Sequence, residues 1–297
     1  MPDLSQTIAA PRRALLWRAA MYMVVASFLF ATMNALAKYV LITPAGAVIG
    51  ALQVTFCRYL SGTLFLLPVL FWDKVVPRTR HPGKYALRAG FGASSVVLMI
   101  LAFQFIPLAN ATAIGFSSPI FTMMLTVLFL GERAGWRRWL AALIGFTGVI
   151  AIAGPDGNIL NTGSLIAVAA ALCMGAEMAA LKWVARLGDR PIVMLFMGNI
   201  LGAILVAAFA LPQWTWPEPW QWFPLAGTGL VAIVGQRLTL TAMRSADANV
   251  IAPLLYATMI FSGLYGVLLF GEVPGWGLYV GMGLIISSGV MLARSGR

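Results

Sequence analysis

The chain is poor in the side chains that carry hydrolytic, redox and metal chemistry. It has one histidine, His81, and two cysteines, Cys57 and Cys173, among 297 residues. No CxxC or Cys/His spacing exists, so neither a metal site nor a disulfide framework is indicated, and each cysteine reads as a small core residue. A serine hydrolase would need a serine within reach of His81, which falls in a predicted loop. Asp-rich metal motifs and a Gly-rich phosphate loop ending in Lys-Ser/Thr are missing as well. These absences exclude an enzyme, and no cofactor is expected. Charge is equally scarce. Only 10% of residues are charged against 61% hydrophobic, whereas a soluble domain carries roughly 25% charge. Glycine and proline, 30 and 16, are spread through apolar segments rather than gathered in repeats, which excludes collagen-like and disordered chains.

What is present is a series of long apolar runs. They lie at 19–41, 48–71, 86–105, 110–130, 137–153, 164–184, 191–211, 222–243, 248–270 and 276–293. A spanning helix needs about 20 such residues, and peptide groups cannot stay unpaired in lipid. The runs show no polar alternation, which excludes a barrel. The first could be misread as a signal peptide after Arg12, Arg13 and Arg18, but it is long enough to remain and span. The fold class is therefore an all-α membrane protein of ten transmembrane helices.

Orientation follows from the basic residues. Ten spans place both termini and the connections after spans two, four, six and eight on one side. That side holds 16 of the 20 Lys and Arg: Arg12, Arg13, Arg18, Lys74, Arg78, Arg80, Lys84, Arg88, Arg133, Arg137, Arg138, Arg186, Arg190, Arg244, Arg294 and Arg297. The opposite connections contain none, only Asp156, Glu218 and Glu272, with a tryptophan belt at Trp214, Trp216, Trp220 and Trp222. By the positive-inside rule both termini are cytoplasmic, and the net charge of +11 reports topology rather than nucleic-acid binding. The expected organisation is a cytoplasmic tail at 1–18, a first five-helix repeat at 19–153, an outer linker at 154–163, a second repeat at 164–293 and a tail at 294–297.

The two halves resemble each other. Ala31–Val40 (ATMNALAKYV) matches Gly175–Val184 (GAEMAALKWV), with Lys38 aligned to Lys182 at an offset of 144. Ala109-Asn110, Gly131-Glu132 and Gly135-Trp136 match Ala248-Asn249, Gly271-Glu272 and Gly275-Trp276 at offsets of 139 to 140. Five helices per copy is an odd number, so the copies are inserted in opposite senses. Inverted repeats with a site between them are an architecture of secondary transporters. The blocks containing Ala109-Asn110, Ser118-Pro119 and Gly131-Glu132, then Ala248-Asn249 and Gly271-Glu272, resemble the duplicated motif of the EamA-like branch of the drug/metabolite transporter superfamily. The second copy departs from it, with Thr258-Met259 in place of Ser-Pro. The resemblance covers about residues 20 to 293. It implies an inner-membrane carrier with a cavity lined by the first, third, fourth, sixth, eighth and ninth helices, and it leaves the solute open.

Five charges remain inside predicted spans: Lys38, Arg58, Lys182, Arg237 and Glu177. Each costs at least ~2.5 to 3.5 kcal/mol there, so each is expected to face protein or water. Lys182 lies near a span end and reads as a solvated anchor. Lys38 stacks over Asn34 at i+4 and either lines the cavity or snorkels. Arg237, beside Gln236, is expected to contact solute or a gate, and Arg58 to make a structural ion pair or a helix-to-helix hydrogen bond. Glu177 either neutralises an arginine or carries a coupling proton, whereas the acids at span ends read as solvated. Asn34, Lys38, Gln104, Ser118, Gln236, Arg237 and Tyr256 form the candidate solute and gating set, Glu177 and Arg58 the coupling or ion-pair set, and Pro119 a hinge. The Gly198-x-x-x-Gly202 and Gly277-x-x-x-Gly281 spacings point to packing within the chain rather than a dimer face. Cations outnumber acids within the spans, so an anionic or zwitterionic metabolite is expected, amino-acid-like first, with export as one direction. The alternatives are an uptake carrier of riboflavin or S-adenosylmethionine type and, from another class, a channel or scramblase, which would want a continuous polar stripe. Small solute and lipid are the expected partners, nucleic acid is not, and the state expected is a monomer or weak dimer.

Overall fold

In lipid an apolar run of this length satisfies its peptide groups within itself only as a helix. The computed structural model describes residues 4–43, 47–77, 79, 81–131, 135–153, 161–185, 187, 189–245 and 252–294. Its long elements are α1 (Leu4–Ile42), α2 (Ala51–Trp72), α3 (Pro82–Ala102), α4 (Leu108–Gly115), α5 (Ser118–Leu130), α6 (Trp136–Ala153), α7 (Thr162–Ala185), α8 (Pro191–Ala210), α9 (Trp222–Ser245), α10 (Ala257–Phe270) and α11 (Trp276–Arg294). Seven described segments are long and apolar enough to cross a membrane, one of them Leu108–Phe129, which joins α4 to α5; Leu254–Phe270 and Trp276–Leu292 are shorter apolar helices. With α4 and α5 taken as one broken span, ten spans result. Glu132, Ala248 and Asn249 of the repeated motif lie outside the described residues, as do Asp156, Arg78, Arg80, Arg133, Arg186, Arg297 and the side chains of Arg12, Arg13, Lys182, Arg244 and Arg294.

Two boundaries differ from the sequence reading. α1 begins at Leu4, inside the expected tail. α3 begins at Pro82, about four residues before the expected start, because proline at the first helical position lacks only an N–H that would be orphaned anyway. The helix adds a turn ahead of Arg88, which lay near the start of the expected run and was counted with the connection before it.

The helices form a ring with a twofold relation between its halves. α1 packs on α9 and α10, and its repeat mate α7 packs on α3 and on α4–α5. α9 also packs on α2, as its mate α3 packs on α8; α2 meets α8, and α6 meets α11 at the periphery. Each of these cross-half contacts has its counterpart, as two inverted repeats require. Both repeats cap their broken span alike, at Gly131 (φ 66°) and Gly271 (φ 61°), in the left-handed region where glycine carries no Cβ penalty.

Glycine also permits the tight crossings. A Cβ on Gly281 would lie 2.6 Å from the Gly148 carbonyl oxygen, and one on Gly202 2.9 Å from the Tyr59 ring. These glycines pack inside the chain, in line with the sequence reading. The outside is apolar: Phe71, Trp72, Phe129 and Phe223 are largely exposed, the surface a bilayer covers.

Candidate functional site

Two charged clusters lie within the helical region. The first joins α2, α3, α7 and α8. Arg88 of α3 donates from Nη2 to Glu177 Oε1 of α7 at 3.2 Å, and from Nη1 to the Met194 carbonyl oxygen of α8 at 3.2 Å. Two glycines make the room. Gly92 lies beneath the Glu177 carboxyl, where a Cβ would come within 2.9 Å of Cδ, and Gly198 lies beneath Arg88 Nη1, where a Cβ would come within 3.1 Å. Arg58 enters from α2, seven residues and so about 10 Å past the helix start. Its Nε donates to the Met33 sulfur of α1 at 3.3 Å, and its guanidinium stacks 5.1 Å from the Tyr59 ring centroid.

This cluster is electrostatically unbalanced. Arg88 bonds Glu177 and Arg58 lies near enough to act on its charge, so two guanidinium groups stand against one carboxylate and the cluster carries a surplus positive charge. Among the described residues Arg58 Nη1 and Arg88 Nε are buried with no hydrogen-bond partner; elsewhere Gln236 Oε1 of α9 and Thr258 Oγ1 of α10 are in the same condition. An unpaired buried donor costs about 1–3 kcal/mol, more when charged, so such atoms mark places where water or a ligand belongs.

The second cluster lies at the end of the bundle that carries the tryptophans. Lys38 Nζ of α1 pairs with Glu272 Oε1, just past α10, at 2.5 Å and donates to the Ile106 carbonyl oxygen at 3.1 Å. Both Glu272 oxygens accept from the Leu108 N–H, at 3.1 and 2.9 Å, which ties the start of α4 to the pair. The Phe270 ring centroid lies 5.4 Å from the ammonium. The side chains are only 6% and 14% exposed, yet both border a recess of about 260 Å³ lined also by Gln104, Phe103, Ile106 and Pro107. Beside them the 213–222 connection is fixed by reciprocal hydrogen bonds between Gln53 and Thr215 and by Gln221 Nε2 donating to the Ala47 carbonyl oxygen.

The predicted set therefore divides. Lys38 and Gln104 meet at the recess, and Asn34 lies one turn below Lys38, half-buried. Glu177 has an arginine partner, but it is Arg88 rather than Arg58 or Arg237. No ion pair of Arg58 occurs among the described residues. Arg237 is exposed on the α9 face that also shows Phe223, Leu230 and Val234, apart from both clusters. Tyr256 stacks on Phe116 at 5.1 Å and lies against Gly289 of α11. Ser118 is buried, and Pro119 occupies the first turn of α5, where residues 116–117 interrupt the span.

Sequence reasoning missed Arg88 and Glu272 by sorting both as solvated residues at span ends. For Arg88 the signal was its own run, since 86–105 contains the residue and the His81-Pro82 helix start sets it one turn deeper still. For Glu272 the signal was Lys38, the one cation predicted toward the same end of the spans.

Residues 17–154 and 161–294 each match the EamA-like transporter family. The chain is 29% identical to a riboflavin transporter of Rhizobium johnstonii over 99% of this chain and 97% of the relative. It is 27% identical to an S-adenosylmethionine uptake transporter of Rickettsia bellii, covering 90% and 92%, and 29% identical to the pseudopaline exporter CntI of Pseudomonas aeruginosa, covering 92% and 94%. A crystal structure at 19% identity superposes with a TM-score of 0.64 over 94% of this chain and 99% of its own, a likeness of fold. Two family matches over both halves, on a ten-span inverted repeat, identify a multi-pass secondary transporter rather than an enzyme: the chain belongs to the EamA-like transporter family.

Proposed function

We propose that this carrier moves a small anionic or zwitterionic organic solute, amino-acid-like at its charged end, by alternating exposure of a central site. The observation that carries this reading is the Arg58–Arg88–Glu177 cluster, with its surplus positive charge and its unpartnered Arg58 Nη1 and Arg88 Nε. A solute carboxylate meets both needs, neutralising the surplus and accepting from donors that have no acceptor. A guanidinium suits that task because its planar fork matches a carboxylate. Gln236 Oε1 offers an acceptor for an ammonium or hydroxyl. Among the solutes named for the relatives, S-adenosylmethionine is itself an α-amino acid, so it fits this chemistry better than riboflavin.

Glu177 enters this scheme as an ion-pair partner. Its hydrogen bond from Arg88 supports pairing over proton coupling. Net flux then follows the solute gradient, and uptake and export are one reversible cycle run in opposite senses. The paired Lys38 and Glu272 block one end of the bundle, which supports a carrier over an open channel. The one-sided distribution of basic residues in the tails and connections, which holds with Arg88 set aside, supports an inner-membrane protein with both termini cytoplasmic.

A thermal-stabilisation screen of purified protein tests the solute class, because a ligand that binds only the native state raises apparent stability. Carboxylate-bearing zwitterions should stabilise the wild type, and Arg58→Gln should weaken that binding about tenfold or more. Stabilisation by neutral or purely cationic solutes, unchanged in Arg58→Gln, would overturn the reading.

A further inference from the structure

We infer that the recess over Lys38 and Glu272 is a second solute subsite, specific for zwitterions, whose occupant takes over both partners of the ion pair and so unlatches that end of the carrier. The inference rests on the solute class proposed above and adds a separate place where that class is read.

The pair fastens three elements at one point. Lys38 belongs to α1, Glu272 follows α10, and the backbone between them is gripped twice, through the Ile106 carbonyl and the Leu108 N–H. These elements come from both repeats, so this end of the bundle cannot part while the pair holds. Separating the partners without replacement would strand a charge on each side in a poorly hydrated place, the circumstance in which breaking an ion pair is most unfavourable. Both side chains nevertheless border the recess, and so does Gln104, which supplies a further polar group at its wall. Phe103, Phe105 and Phe270 line the rest and suit an apolar substituent.

A solute carrying one charge leaves one partner stranded. An anion that takes Lys38 abandons Glu272, and a cation that takes Glu272 abandons Lys38. A solute presenting an ammonium and a carboxylate side by side replaces both at once, so the separation leaves no uncompensated charge. The latch therefore discriminates between solutes before the central site is reached. The Leu108 N–H keeps Glu272 oriented during the exchange, because that hydrogen bond does not involve Lys38.

The test uses the full-length chain reconstituted in liposomes, with Cys57→Ala and Cys173→Ala, and spin labels at Ile42→Cys and Val273→Cys. These positions flank the pair; Val273 is 88% exposed, and Ile42 stands at the rim of the recess. The probes are L-methionine, its deaminated acid 4-methylthiobutanoate and its decarboxylated amine 3-methylthiopropylamine. In the wild type L-methionine should move label pairs to a distance longer by about 5 Å or more, the scale of one helical turn. The single-charge analogues should need about tenfold higher concentration or more for the same shift. Glu272→Gln keeps the shape and the Leu108 contact, and should populate the longer distance without solute. The double variant Lys38→Gln with Glu272→Gln, which strands no charge, should respond alike to all three probes. Equal responses of the wild type to the three probes, no response to any, or an unchanged distance in Glu272→Gln would each overturn the inference. Arg58→Gln separates the two readings. If it loses central binding while the label distance still responds selectively to L-methionine, both stand; if it keeps binding and flux, the central reading fails and the latch is unaffected.

Discussion

Gly92 and Gly198 have no side chains, yet they determine where Glu177 and Arg88 can sit. Each removes a Cβ from the space that a charged head occupies. Gly92→Ala would place a methyl 2.9 Å from the Glu177 Cδ, so the carboxylate must retreat from Arg88. We expect a stability loss of about 1–3 kcal/mol by thermal unfolding and a severalfold fall in flux. Gly90→Ala, two residues away with nothing within 4 Å of its Cβ, should leave both unchanged. At this scale the sequence was partly legible. Arg58 and Glu177 stood out because lipid makes an isolated charge conspicuous. Arg88 and Glu272 did not, because a charge near a span end has water as an alternative. What binds them is a partner 89 or 234 residues away, which no local spacing reveals.

At the scale of the elements, the interruption at residues 116–117 divides one span into α4 and α5. Phe116 and Ser117 donate back to the Thr112, Ala113 and Ile114 carbonyls, Ile120 reaches only to Ser117, and Pro119 supplies no N–H, so the regular ladder stops there. The second repeat has a 3-10 turn at Ala252–Tyr256 before α10, where Thr258-Met259 replaces Ser-Pro. One copy thus breaks at a proline and the other does not need one. Proline in the first helical turn disturbs little, so Pro119→Ala should alter stability by less than about 1 kcal/mol. It should lower flux if the break is a hinge, measured at equal amounts of folded protein in vesicles. The spans themselves were legible because the bilayer fixes their length and leaves helix as the one way to satisfy the backbone. Their ends were less so: Arg88, near the start of its run, was counted with the connection although it lies within the helix.

The whole molecule is two copies of one design facing opposite ways, held by contacts that recur in pairs. Its orientation is open to direct measurement. A cysteine placed at Glu218, exposed in the 213–222 connection, should react with an impermeant maleimide added outside intact cells; reaction only after permeabilisation would reverse the orientation. The pairing of Lys38 with Glu272 also has a consequence for how the protein is made. The two residues are 234 positions apart, and at ribosomal speeds of about 5–20 residues per second the lysine waits roughly 10 to 50 seconds for its carboxylate. During that interval the first repeat holds an ammonium with no counter-charge, and its long stem must reach toward water. The nascent carrier is therefore born ajar at its tryptophan end, and closing it is among the last steps of biogenesis, completed only when the ninth span has left the ribosome.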